Sequence, residues 1–228
     1  MRSALVTGGS SGIGLAIARV LREEGFALTL AARTPERLEA AAAELDALSV
    51  ATDVRDEHAC AHVVAAHLDE HGGLDMLVNS AGVGVAGGIE QQDVKRIDLQ
   101  LDVNLRGLIL VTRAALPHLR ASRGLVVNVA SIAGTEPVPL LPVYAATKAA
   151  VISLTGSLNA AFEDDGVRVH ALCPAFVDTP MGAYSGLAGE EMIQPEDCAE
   201  VVRMLLRLGP RARVARVVIE RMGAVGVA

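Results

Sequence analysis

Lysine and tyrosine are the scarce proton carriers of this 228-residue chain, and one of each falls on a single helical turn. Of 20 basic residues, 18 are arginine, which leaves Lys95 and Lys148, and the tyrosines are Tyr144 and Tyr184. The run Tyr144-Ala145-Ala146-Thr147-Lys148 sets a phenol and an ammonium four residues apart, so on a helix they share a face. A neighbouring ammonium lowers a phenol from its reference pKa of about 10. A phenol tuned that way can give or take a proton at working pH. Ser131, at the end of a predicted strand, is placed to donate a hydrogen bond to a substrate carbonyl oxygen.

A second cluster is built for anions. The first predicted strand runs into Thr7-Gly8-Gly9-Ser10-Ser11-Gly12-Ile13-Gly14 and then directly into a helix. Glycines there allow a tight turn and let a pyrophosphate approach the helix N-terminus, where free N–H groups and the dipole favour negative charge. The second strand ends in Ala31-Ala32-Arg33. An acid at that place would read a free ribose 2′-hydroxyl; here the acid is missing and Arg33 suits a 2′-phosphate, which points to NADP(H) over NAD(H). Asp53 and Val54 follow the third strand, placed to meet the adenine, and Asn79-Ser80-Ala81-Gly82 follows the fourth, lining the crevice at the strand ends.

The elements that must position these groups alternate from end to end. Strands are predicted at 3–7, 27–32, 48–52, 74–79, 124–130, 167–172 and 214–220, and helices at 13–24, 35–46, 57–71, 97–119, 144–163 and 195–208. That rhythm means βαβ units and a parallel seven-stranded sheet covered on both faces. With 51% hydrophobic and 21% charged residues the chain is not disordered, and its length suits one domain. A net charge of −7 without a basic stripe disfavours nucleic acid. The opening residues show no signal-peptide pattern and no apolar run reaches a membrane span. Cys60, Cys173 and Cys198 are scattered and form no CxxC. A soluble, unprocessed cytoplasmic protein, without membrane contact, is expected.

Taken together, TGGSSGIG, NSAG after the fourth strand, Asn104 in Val103-Asn104-Leu105, Ser131 and YAATK resemble the short-chain dehydrogenase/reductase family over essentially the whole chain. The resemblance implies one Rossmann-type doubly wound α/β domain over 1–228, with a nucleotide half to about residue 100 and a catalytic half after it. It implies reversible carbonyl reduction with Tyr144 as general acid/base and Ser131 as carbonyl orienter. Lys148 would be both the cation beside Tyr144 and a nicotinamide-ribose ligand, and Asn104 would hold a relay water. Gly8, Ser10, Ser11, Gly12, Ala81 and Gly82 would border the dinucleotide, with Ile13 and Gly14 beneath the nicotinamide and Pro174, Val177 and Thr179 gripping it. Hydride would pass from the B face of the ring. The sequence departs from the family in Ser80, and in Ala175 after Pro174, where glycine is usual and could adopt a positive φ.

The residues expected around the substrate are Val83, Val85, Ser131, Ile132, Ala133, Pro137, Leu140, Leu141, Tyr144 and Met181, mostly aliphatic with no obvious inward cation. A neutral, rather apolar ketone, aldehyde or secondary alcohol follows. One alternative is a 3-oxoacyl-(acyl-carrier-protein) reductase, whose acidic partner Arg106, Arg113 and Arg120 could receive, although a solvated or subunit-contacting face explains that row equally well. Another is a non-catalytic NADP(H) sensor, which would not need the full Asn104, Ser131, Tyr144, Lys148 set. Helices 97–119 and 144–163, rich in small and aliphatic residues, suggest a homo-oligomer, a dimer or tetramer. No metal site is expected: His58, His62, His67 and His71 read as a solvated helix face. Met181, Met192 and Met204 read as gap-fillers.

Overall fold

A computed structural model describes residues 1–223; side-chain placement at Tyr184 and everything at 224–228, the end of the expected domain, lie outside the description. The strands are β1 (Ser3–Thr7), β2 (Ala27–Ala32), β3 (Leu48–Ala51), β4 (Met76–Asn79), β5 (Leu125–Val129), β6 (Arg168–Pro174) and β7 (Arg216–Ile219). All neighbours pair in parallel, in the order β3-β2-β1-β4-β5-β6-β7. Strand order therefore reverses between β1 and β4, which opens a crevice at their C-terminal ends. This is the Rossmann-type arrangement.

Alternate residues of each strand feed opposite layers. Ala4 and Val6 of β1 pack towards α1 (Gly12–Glu23), α2 (Pro35–Leu45) and α7 (Pro195–Leu206), whereas Leu5 faces α3 (Glu57–His71) and α5 (Leu108–Ser122). β1, β4 and β5 are buried throughout because both faces are covered, while the edge strands β3 and β7 are half-exposed and only four residues long. The β7 segment is shorter than the seven residues expected, since an edge strand has only one neighbour to hold its ends. Among the described residues no helix is long and apolar enough to cross a membrane.

The helix expected over 97–119 is interrupted. It begins earlier as α4 (Val94–Leu101), loosens into a π-turn at Asp102–Gly107, and continues as α5. Gly107 explains part of this, because a Cβ there would lie 2.8 Å from the Val54 side chain and carbonyl. The extra residue of the π-turn also swings Asn104 inward, a known use of such bulges at functional sites. α6 spans Pro142–Ala161, with Pro142 in its first turn, where a missing N–H costs nothing.

The histidine helix needs correction. His58 and His62 are exposed, but His67 is fully buried and His71 half-buried, because the five-residue step from His62 to His67 turns the helix towards the sheet. His67 Nδ1 lies 2.8 Å from Thr29 Oγ1, and its Nε2 lies 3.1 Å from Ser3 Oγ, which itself donates to the Gly73 carbonyl. Because the Ser3 hydroxyl donates to Gly73, Nε2–H donates to Ser3, while Nδ1 shares the Thr29 hydroxyl with His71 Nε2, 3.2 Å from it. Burial, and secondarily His71, push the His67 pKa down to about 4. Since the unfolded ring titrates near its ordinary value of about 6.5, this group's contribution is complete above that pH and is lost as the pH falls towards 4. The loss is about 3 kcal/mol. Urea unfolding of His67→Gln at pH 7 and pH 4 should show a correspondingly smaller acid loss than the parent; an equally steep fall would refute the assignment.

Candidate active site

The glycine turn is set by contact as much as by conformation. Gly8 has φ +67° and carries its N–H to the Ala31 carbonyl at 2.8 Å; a Cβ on it would stand 2.8 Å from the Ser80 and Ala81 backbones. A Cβ on Gly14 would strike the Gly8 carbonyl oxygen. β1, the start of α1 and the loop after β4 thus meet backbone to backbone. Ser11 caps α1 without a side-chain bond and no acid lies in its first turn, so the N-terminal N–H groups remain for a ligand.

A cavity of about 990 Å³ extends from this turn across the ends of β4, β5 and β6. Gly8, Ser11, Gly12, Ile13, Ala81 and Gly82 line its nucleotide end, and Pro174, Val177 and Thr179 its far wall. Ser131, Ile132, Leu141, Tyr144, Lys148 and Met181 line the same space, as do Ala133 and Pro137. Ala175 is not among the residues with positive φ, and its N–H reaches the Ile219 carbonyl at 2.9 Å, so alanine is accommodated without strain.

Ser131 follows β5 and opens a short turn, its Oγ accepting from the Ala133 N–H at 3.2 Å and lying 3.5 Å from the Pro174 carbonyl. Tyr144 and Lys148 lie on one face of α6, as their spacing predicts, with Nζ 5.5 Å from the ring centre. Lys148 is buried, donates to the Val129 carbonyl at 2.7 Å, and is pushed by desolvation down to about 8. It stays mostly cationic at neutral pH.

Asn104 is buried, and its amide is committed: Oδ1 accepts from Val83 N–H and Nδ2 donates to the Val83 carbonyl, both at 2.8 Å, with a further bond to Thr147 Oγ1. It holds the backbone beside Lys148 and Tyr144. Gln92 and Gln100 extend that hold along the loop, since Gln100 accepts from Val85 N–H and Gln92 donates to the carbonyls of Val85, Ala86 and Gly87. These glutamines were not foreseen; two amides on or beside a short helix resemble ordinary surface.

Several expected contacts fall elsewhere. Leu140 is 70% exposed, and Val83 and Val85 do not line the cavity. Asn79 points into the core, donating to Thr112 Oγ1 and Asn128 Oδ1. Asp53 is clasped by Arg55, which holds its carboxyl below the usual range, while Val54 is buried against Gly107. Ser10 and Arg33 also stand outside the cavity lining; Arg33 is exposed, with no hydrogen bond or ion pair among the described residues. Arg106, Arg113 and Arg120 are engaged by the Arg55 carbonyl, Glu57 and Asp165, and none borders the cavity. Met192 fills the interior as expected, but Met204 is 43% exposed. Cys173 is buried and its thiol is pushed up to about 11, which suits packing rather than reactivity. Among the described residues no three metal-ligating side chains gather. The cavity also takes in Glu136, Phe176, Glu220 and Arg221, none foreseen.

The chain belongs to the short chain dehydrogenase family, whose model matches residues 2–188. It is an oxidoreductase of that family. An uncharacterized oxidoreductase of Staphylococcus epidermidis is 36% identical over 219 residues, 95% of each chain. Among solved structures, an alcohol dehydrogenase from Thermococcus sibiricus, complexed with 5-hydroxy-NADP, superposes with a TM-score of 0.90 at 31% identity, covering 96% of both chains. A 3-ketoacyl-(acyl-carrier-protein) reductase from Brucella melitensis, complexed with NADH, gives 0.90 at 29% identity and the same coverage.

Proposed function

We propose that this protein interconverts a carbonyl and an alcohol with NADP(H), as one cytoplasmic domain whose first half binds the nucleotide and whose second half carries the chemistry. The observation that carries the reading is the buried Lys148 ammonium beside Tyr144, in one cavity with Ser131 and the glycine turn.

The residues fit a dinucleotide. Gly8 and Gly14 let β1, α1 and the loop after β4 close backbone to backbone into the turn, and the first turn of α1 has no side-chain cap and no acid to compete with an anion. Gly8, Ser11, Gly12, Ile13 and Gly14 would hold the pyrophosphate, Arg33 the 2′-phosphate, Lys148 the nicotinamide ribose, and Pro174, Val177 and Thr179 the nicotinamide. When bound, the cofactor supplies or accepts the hydride. The protein does the rest. Ser131 donates to the substrate oxygen, Tyr144 gives or takes the proton at that oxygen, and the Lys148 charge favours the ionised phenol. Asn104 acts as a positioning residue through Val83.

Assembly through α4, α5 and α6 fits their outer faces, where Leu101, Ile109, Ala149, Gly156 and Ala160 are exposed. Light scattering at micromolar concentration should return a dimer or tetramer, and a protomer mass would sink this.

NADPH should bind at least tenfold more tightly than NADH, because a charge-assisted contact from Arg33 contributes about 1.5–3 kcal/mol. Arg33→Ala should remove most of that difference in fluorescence titrations. Equal affinities in the parent protein would overturn the assignment.

Tyr144→Phe deletes only the hydroxyl that exchanges the proton. On a substrate found by screening carbonyls and alcohols at the nicotinamide absorbance, turnover should fall roughly a thousandfold or more, with NADPH affinity nearly unchanged. Retention of over a tenth of the parent rate would mean that the proton comes from elsewhere.

A further inference from the structure

Three charged side chains on the cavity wall have no part in this chemistry: Glu136, after the turn that Ser131 opens, and Glu220 and Arg221, just past β7. They are not equivalent. Both glutamates are exposed, whereas Arg221 is half-buried.

Sheltering a guanidinium is costly unless acceptors come with it. Five arginines of the described chain are half-buried, namely Arg19, Arg22, Arg168, Arg203 and Arg221. Arg19 pairs with Glu44, Arg22 with Asp46, and Arg168 reaches the Leu208 carbonyl. Arg203 is surrounded by Glu23, Glu24 and Glu200. Arg221 alone among them has no hydrogen bond or ion pair within the described residues, and it alone lines the cavity. Wherever else this fold shelters such a group it supplies the acceptor itself.

The place of Arg221 relates it to the reacting groups. Ile219 pairs with Pro174 across β6 and β7, and the Pro174 carbonyl lies 3.5 Å from Ser131 Oγ. Arg221 stands two residues beyond that register. The remaining wall includes Ile132, Val138, Leu141, Phe176 and Met181, all apolar. A ligand with its oxygen at Ser131 and Tyr144 would run along aliphatic surface towards a cation.

Resting on the carbonyl–alcohol reading, we propose that Arg221 receives a carboxylate, so that the substrates are aliphatic oxo acids and hydroxy acids rather than neutral carbonyls. A planar guanidinium matches a carboxylate's two oxygens. Glu136 and Glu220 on the same wall favour a singly charged acid over a doubly charged phosphate.

The test is binding, measured without turnover. Calorimetry on the NADP⁺-saturated protein at low salt compares hexanoate with hexanamide, which share an apolar body and differ in charge. Hexanoate should bind at least tenfold more tightly, as expected of a charge-assisted pair. Arg221→Gln should bring the two within about twofold, Arg221→Lys should restore part of the preference, and NADP⁺ affinity should be unchanged in both. Equal binding of acid and amide, no measurable binding of either, or a preference that survives Arg221→Gln overturns the proposal. An Arg221-dependent preference without oxidation or reduction of any carbonyl or alcohol would leave the anion site standing and remove the redox reading. Turnover of neutral carbonyls with no acid preference would do the reverse.

Discussion

A buried ammonium organises the catalytic half of this molecule. Desolvation pushes the Lys148 ammonium down to about 8, and it donates to the Val129 carbonyl at the end of β5. Everything that meets Lys148 must therefore approach closely. Gly134 does so because it lacks a Cβ, which would stand 2.6 Å from the Lys148 carbonyl carbon. The π-turn that breaks the long helix belongs to the same constraint, since it brings Asn104 across to Val83 and Thr147, one residue from the lysine.

Behind the site a chain of buried polar side chains fixes β4 and β5 to the helices. Thr112 on α5, Asn79, Asn128 and Thr155 on α6 are linked in sequence, and Thr155 closes on the Val151 carbonyl. Such a network specifies one register, because a slip would leave each amide buried without a partner at about 1–3 kcal/mol apiece. Two atoms already lack partners among the described residues, Asn79 Oδ1 and His170 Nε2.

How much of this could be read from sequence follows from which signals are local. Central strands announce themselves as unbroken apolar runs because both of their faces are covered, and Tyr144, Lys148 and Ser131 stand out through rarity and spacing. The break at Asp102–Gly107 does not, because apolar periodicity continues through it and the packing of Gly107 on Val54 that contributes to it is a contact remote in sequence. Side-chain direction in loops is equally hidden: the neighbours Leu140 and Leu141 are 70% and 6% exposed, and nothing in a leucine doublet says which one turns inward. His67 was misread because a histidine pair suggests surface, while its partners Ser3 and Thr29 lie on strands remote in sequence. Glu220 and Arg221 follow the C-terminal end of the last strand, the same side of the sheet on which ligands of open α/β folds gather.

The distribution of charge then acquires a direction. The chain carries a net charge of −7, which by itself would repel an anionic dinucleotide. Around the C-terminal ends of the strands the charge is mixed, with Lys148 and Arg221 sharing the cavity wall with Glu136 and Glu220. The first turn of α1 carries no acid and no side-chain cap, Lys148 donates to the Val129 carbonyl, and Arg221 on the cavity wall has no hydrogen bond or ion pair among the described residues. The other half-buried guanidinium groups find acceptors within the fold, Arg203 in three glutamates and Arg168 in the Leu208 carbonyl. Among the half-buried arginines of the described residues, Arg221 at the cavity is the one without an internal acceptor. The polar groups at the opposite ends of the strands, Ser3, Thr29 and His67, are by contrast closed on one another and require neutrality. The two ends of the same sheet thus differ, one closed on itself and the other open on the cavity.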